Sequence, residues 1–225
     1  MILRSQNSYR YWQFELLTPF RSIFHASFQK HGDLSIGGLK TTFGLQKIAY
    51  LDQVHGDQIV CAKAGGLQGE GDALVTTTSH LTLLIRHADC QAALIYDPNN
   101  HIVAAVHCGW KGSTKNIYTK TIAYLKEQYQ CRPKDLLVCI SPSLGPEASE
   151  FIHFKKELPP SFLPYQIKPS YFDFWKISEE ELLAAGILAH HIEIAAICTY
   201  ANPLDYLSYR FDKTSKRLFS LISLV

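Results

Sequence analysis

His55, Cys90 and His107 are the side chains of this sequence whose types best suit a metal. Each sits beside a turn, within LDQVHGDQIV, IRHADCQAAL and VAAVHCGWKGS respectively. Two imidazoles and one thiolate make the borderline-soft donor set that zinc favours. Three protein ligands leave a fourth position for water or substrate, which is the pattern of a catalytic ion rather than a structural one. Spacing alone does not compel this reading. The residues lie 35 and 17 positions apart (55 to 90 and 90 to 107), with none of the short ligand pairs of a zinc finger. The same residues would also serve as satisfied core or turn histidines and a buried, inert thiol.

Other groups stand close enough in sequence to assist. Asp89 adjoins Cys90 and is a candidate to orient a neighbour or carry a proton, whereas Asp72, in a Gly-Asp turn, reads as structural. Lys111 and Ser113 follow His107 near the start of an expected helix. There a positive charge and free backbone donors would suit phosphate, and a solvated lysine with an ordinary helix cap is the alternative.

The elements that must position these groups are mostly strands. Short branched or aromatic runs at 11–17, 22–28, 47–54, 58–63, 72–76, 81–86, 91–96 and 101–107 are separated by GGLQGEGD (65–72), DPNN (97–100) and CGWKGS (108–113). Four-residue steps through Ile117, Thr121, Leu125 and Tyr129 predict a helix ending near 129, capped by Ser113 or Thr114. Ser178 and Glu181 have capping-box spacing and predict a second helix over 178–185. Strands at 192–198 and 217–224 complete an α/β (α+β) reading: one domain over 1–225 with a mixed, largely antiparallel sheet flanked by helices.

Composition narrows the function classes. A formal net charge of +2, with basic residues scattered among acids, asks for neither nucleic acid nor an anionic membrane. No apolar run reaches transmembrane length, and the first residues lack the apolar core of a signal peptide, so a cytoplasmic protein is expected. Six dispersed cysteines imply reduced thiols. With no heptad and no long apolar strip, a monomer is expected.

The segments VHG (54–56), GDALVT (71–76), ADC (88–90), VHCGWKGS (106–113), CISPSLG (139–145), ICTY (197–200) and LSYRFDKTSKRLFSLISL (207–224) together resemble the YfiH family. These are the laccase-domain or polyphenol-oxidase proteins grouped as purine nucleoside phosphorylases. The resemblance implies a YfiH-like fold, similar to the catalytic fold of cytotoxic necrotizing factor, with His55, Cys90 and His107 on one zinc. It also implies phosphorolysis of adenosine, inosine and methylthioadenosine to a free base and a sugar 1-phosphate, with adenosine deamination as a companion activity. Small-molecule nucleoside and phosphate are then the partners. Lys30, Lys111 and Arg210 become anion-binding candidates, and Asp89 a proton carrier.

The chain departs from the family pattern in several places. Lys30 stands where an arginine is usual, which keeps charge but loses the planar fork. IGGLKTTFGLQK shortens a loop, Ser141 replaces a glycine, and Phe211 replaces a second arginine after Arg210. Three other classes remain: a copper-dependent polyphenol oxidase, a metal-free hydrolase with Cys90 as nucleophile and His107 as base, and a non-catalytic binding protein. One three-ligand site cannot supply the several copper centres of a laccase.

Overall fold

The computed structural model describes residues 1–225. All the strands except the small antiparallel pair Gln166–Lys168 and Tyr171–Phe172 fall into two sheets stacked face to face. In spatial order the first runs Ile2–Gln6, Tyr9–Gln13, Ile23–Phe28, Leu218–Leu224, Leu81–His87, Lys47–Asp52, Gly66–Glu70. The second runs Ile192–Ile194, Leu137–Ile140, Gln91–Asp97, Ile102–Cys108, Ala73–Thr76, Ile59–Cys61. The expected mixed, largely antiparallel arrangement holds, divided between these two sheets, with parallel pairs toward their edges.

The two-residue period of a strand explains the layering. Leu83, Ile85 and Ile222 of the first sheet meet Ala92, Leu94, Val103 and Ala105 of the second in one apolar core. The alternate residues Ala93, Ile95, Ala104 and Val106 face Ile117, Ile122, Leu125 and Leu182 of the helices Ile117–Tyr129 and Phe174–Ala184. Leu39 of the helix Ile36–Phe43 covers the outer face of the first sheet with Phe28, Leu84 and Leu221. The central strands Gln91–Asp97 and Ile102–Cys108 are therefore buried on both faces along their whole length. Such strands, covered on both faces, make a firm platform for what they carry.

Several element boundaries differ from the sequence expectations. The helix expected to run unbroken to Tyr129 is instead Trp110–Thr114 followed by Ile117–Tyr129. Asn116 separates them with a left-handed φ of 57°, a conformation asparagine tolerates, so Ser113 lies inside a helical turn and caps nothing. The second helix starts earlier, because Asp173 caps it by accepting the Lys176 N–H. Ser178 is fully buried and donates instead to Gln91 Oε1. The glycine-rich stretch read as a turn contains an edge strand, Gly66–Glu70, parallel to Lys47–Asp52.

Candidate metal centre and its cavity

The site forms where the chain crosses between sheets. Leu81–His87 ends, Ala88–Asp89–Cys90 crosses the end of the sandwich, and Gln91–Asp97 begins in the other sheet. Asp89 makes the turn in a left-handed conformation (φ 78°). His107 lies at the same end, paired with Ala92, and His55 comes from the loop after Lys47–Asp52. The ligand atoms of His55, Cys90 and His107 all lie within 4.8 Å of one another.

Asp72 builds this arrangement. Its fully buried carboxylate accepts from the backbone N–H groups of Val54 (3.3 Å), His55 (3.1 Å) and Gly56 (2.6 Å) and from His107 Nδ1 (2.7 Å). One carboxylate thus pins the loop that carries His55, whose own φ is 56°, and the ring of His107. With Nδ1–H committed to Asp72, Nε2 of His107 is the nitrogen left for a metal, the carboxylate–histidine arrangement that fixes tautomer and ring orientation. The structural reading of Asp72 was incomplete: it is also the residue that orients a ligand.

Burial disfavours charge at Cys90, His107 and Asp72, and their neighbours overcome it. Burial would raise the Cys90 pKa, but the charges and hydrogen bonds of His107 and His55 bring it down to about 6. Burial would lower that of His107, but the Cys90 thiolate and the Asp72 carboxylate raise it to about 9. Burial would likewise raise Asp72, while hydrogen bonds from His107, Gly56 and Val54 hold it below the usual carboxylate range. Burial pushes the thiols of Cys108, Cys131 and Cys139 up. Cys90 is thus prepared as a thiolate, the state in which sulfur binds a metal or attacks a carbon.

The donor set fits a zinc ion: two nitrogens and one sulfur converge, one imidazole is backed by a carboxylate, and the backbone leaves room. A Cβ on Gly109 would come within 2.9 Å of Cys90 Sγ and 3.0 Å of His55 Cδ2, so glycine is what lets the chain pass here. The ligands open on a cavity of about 880 Å³. Trp110, Leu144, Phe151, Phe174 and Tyr209 give it apolar and aromatic walls. Arg86, Arg210, Lys213 and Arg217 bring positive charge, and none of them is ion-paired with a carboxylate.

The other sequence candidates divide. Arg210 lines the cavity, with one guanidinium nitrogen donating to the Glu150 carbonyl (2.9 Å). Asp89 also lines it, but Thr199 Oγ1 (2.7 Å) and the Arg210 N–H (2.6 Å) each donate to one of its oxygens, so it anchors the Arg210 segment to the crossover. Ser113 reaches the wall and lies 3.2 Å from Cys108 Sγ. Lys111 and Lys30 are not in the lining. Lys111 lies over the Trp110 ring at 5.5 Å, while Lys30 donates to the Pro203 carbonyl; Arg86, Lys213 and Arg217, which the sequence reading did not single out, line the cavity instead. Those cations had no short-range signal, being dispersed over strand ends and the segment 209–217.

Comparison with known proteins shows the family and the fold. Residues 37–225 match the family model described as multi-copper polyphenol oxidoreductase laccase. A purine nucleoside phosphorylase of Clostridium acetobutylicum is 32% identical over 207 residues, covering 86% of this chain and 84% of that protein. One of Rickettsia conorii is 33% identical over 182 residues, covering 76% and 74%. The crystal structure of the hypothetical protein YfiH of Bacillus licheniformis superposes with a TM-score of 0.83 at 21% identity, covering 99% of both chains, and shows that the fold is shared.

Proposed function

We propose a function on the premise that this chain belongs to the multi-copper polyphenol oxidoreductase laccase family: it is a zinc-dependent purine nucleoside phosphorylase. Its substrates are adenosine, inosine and S-methyl-5'-thioadenosine, which with phosphate give free base and sugar 1-phosphate, and adenosine deamination is a second activity of the same site. The observation that carries this reading is the joint placement, in one cavity, of the His55–Cys90–His107 cluster and four cations without carboxylate partners. The names of the Clostridium and Rickettsia relatives support it. A laccase needs several copper centres, and three donors make one mononuclear site, so the family description does not transfer as a phenol-oxidising activity.

His55, Cys90 and His107 would hold the zinc, which when bound supplies Lewis acidity to a coordinated oxygen or nitrogen. The chain's own groups do the rest. Phosphate enters as an anion, and Arg86, Arg210, Lys213 and Arg217 offer it guanidinium and ammonium donors, the three arginines being partly braced by backbone carbonyls. Apolar and aromatic walls exclude water and flank a planar base. As the glycosidic bond breaks, positive charge develops on the sugar and negative charge on the leaving base, and the anion held by the cations faces the former. Asp89 keeps Arg210 in place rather than moving a proton itself.

A second reading has its own support. Without a metal, Cys90 lowered to about 6 beside His107 raised to about 9 is a thiolate–imidazolium pair, the starting state of a cysteine nucleophile. Incubation of the purified protein with inosine, with and without phosphate, separates the two. Release of hypoxanthine and ribose 1-phosphate that needs phosphate and is lost on zinc chelation supports the phosphorylase. Turnover that survives chelation but is blocked by alkylation of Cys90 supports the nucleophile and overturns the first reading.

A further inference from the structure

Of the acids in the chain, Asp52 and Asp89 line the cavity. Both oxygens of Asp89 are engaged, one by Thr199 Oγ1 and one by the Arg210 N–H. Asp52 is exposed, its carboxylate accepts no hydrogen bond, and it joins no ion pair. The free carboxylate suits a ligand group that donates hydrogen bonds, and phosphate, which shares its sign of charge, is not one. The first sheet fixes where Asp52 stands. In Lys47–Asp52, Leu51 packs into the core between the sheets, while Ile48 and Tyr50 pack on the outer side with Leu39 of the helix Ile36–Phe43. By the two-residue period Asp52 leaves its strand on that outer side. Arg86 follows Leu84 in the same way on the neighbouring strand, and Arg217 precedes Phe219 on the next. Arg217, Arg86 and Asp52 therefore form a row at one end and on one face of three adjacent strands, which lie about 5 Å apart. The Arg86 guanidinium donates to the Leu51 carbonyl (2.8 Å), one residue from Asp52. The apolar wall lies elsewhere, where Trp110, Phe151 and Phe174 pack in a separate cluster.

We propose that the Asp52 carboxylate accepts hydrogen bonds from the 2'- and 3'-hydroxyls of the ribose, and so selects ribonucleosides over their deoxy counterparts. This rests on the nucleoside reading above. Phosphate held by Arg86 and Arg217 has to come within about 3.5 Å of the anomeric carbon to attack it, so the sugar occupies the space beside these cations. Asp52 is the next group along the row. The base, flat and apolar on its faces, goes to the aromatic wall. Two neighbouring hydroxyls match the two oxygens of one carboxylate, and an O–H donated to a charged oxygen makes a strong hydrogen bond.

The test uses the intact protein with its metal. Calorimetry without phosphate reads the binding of inosine and of 2',3'-dideoxyinosine, and turnover of both with phosphate is followed beside it. The wild-type protein should bind inosine about thirtyfold more tightly than the dideoxy compound, the effect expected of hydrogen bonds to a charged acceptor. Asp52→Ala should remove that preference, inosine weakening about thirtyfold while the dideoxy compound changes less than about twofold. Asp52→Asn, which keeps one acceptor oxygen, should fall between the two. Because Asp52 is exposed, zinc content and melting temperature should stay as in the wild type. Equal wild-type affinity for the two compounds, a preference that survives in Asp52→Ala, or a loss shared equally by both compounds, as a general effect of charge would give, overturns the proposal. Wild-type protein that binds neither compound overturns it together with the nucleoside reading. An Asp52-dependent preference for inosine, in a protein that releases no hypoxanthine, would uphold it and contradict the proposed reaction alone.

Discussion

The His55–Cys90–His107 cluster and four cations line one cavity, yet they are held by different means. Cys90 and His107 flank two central strands whose residues are buried on both faces, and Asp72 ties His107 and the His55 loop together through four hydrogen bonds. Arg210 and Lys213 come from a single helical turn, Tyr209–Asp212, and the residue after it, with Tyr209 and Phe211 more than half exposed. That segment is attached to the rigid side chiefly through Asp89, which accepts from Thr199 and from the Arg210 N–H. A metal demands distances fixed to a fraction of an ångström, and a sandwich core supplies them. Anion recognition tolerates adjustment, and a surface turn allows it. The contrast predicts that damage on the first side removes chemistry, while damage on the second changes affinity.

The largest effect is expected at the cluster itself. Cys90→Ala or His107→Ala should lose the metal and lower kcat by about a thousandfold or more, read by metal analysis and nucleoside turnover on the same folded sample. Next comes Asp72→Asn, which keeps shape but removes the charge shared by four donors. Metal affinity should fall about 10- to 100-fold by competition with a chromophoric chelator, a loss typical of a ligand's hydrogen-bonded carboxylate partner. Gly109→Ala should weaken metal binding in the same assay, because its Cβ would meet Cys90 Sγ at 2.9 Å.

The contrast also has a pH signature in chelated protein. His107, raised to about 9, contributes stability that is full below its unfolded pKa and lost as pH rises through about 9. Cys90, lowered to about 6, contributes stability that is present above its unfolded pKa and lost as pH falls through about 6. The two shifts describe largely one interaction, so the melting temperature should be highest between about 6 and 9. It should vary less with pH in Cys90→Ser. On the other wall, Arg217→Met should raise the KM for phosphate about tenfold with metal content unchanged. Lys30→Ala and Lys111→Ala, outside the cavity, should change kcat/KM less than about threefold.

The same division decides what was legible in the sequence. The three candidate ligands stood out because their flanking motifs resemble a known family, their types and spacing alone leaving the reading open. The strands carrying them were visible because their apolar runs are unbroken. The function of Asp72 was not, since its partners at 54–56 and 107 become neighbours only when Ile59–Cys61 and Ile102–Cys108 flank Ala73–Thr76. The cations failed to stand out for the same reason: Arg86, Arg210 and Arg217 converge only through the pairing of Leu218–Leu224 with Leu81–His87 and the anchoring of Arg210 by Asp89. Lys30 and Lys111 looked equally suitable as charges, and the sequence carried no sign that they lie outside the cavity lining, against the Pro203 carbonyl and the Trp110 ring. At the second helix, Ser178 had the spacing of a cap, but the buried interior consumed it as a donor to Gln91.

The central claim is that His55, Cys90 and His107 hold one zinc ion, and X-ray absorption at the zinc edge, on protein purified without a metal-chelating tag, tests it most directly. The account predicts near-stoichiometric zinc with one sulfur at about 2.3 Å and nitrogen or oxygen neighbours at about 2.0 Å, the sulfur shell vanishing in Cys90→Ala. Protein that is active on nucleosides without zinc, or zinc with no sulfur neighbour, would contradict it.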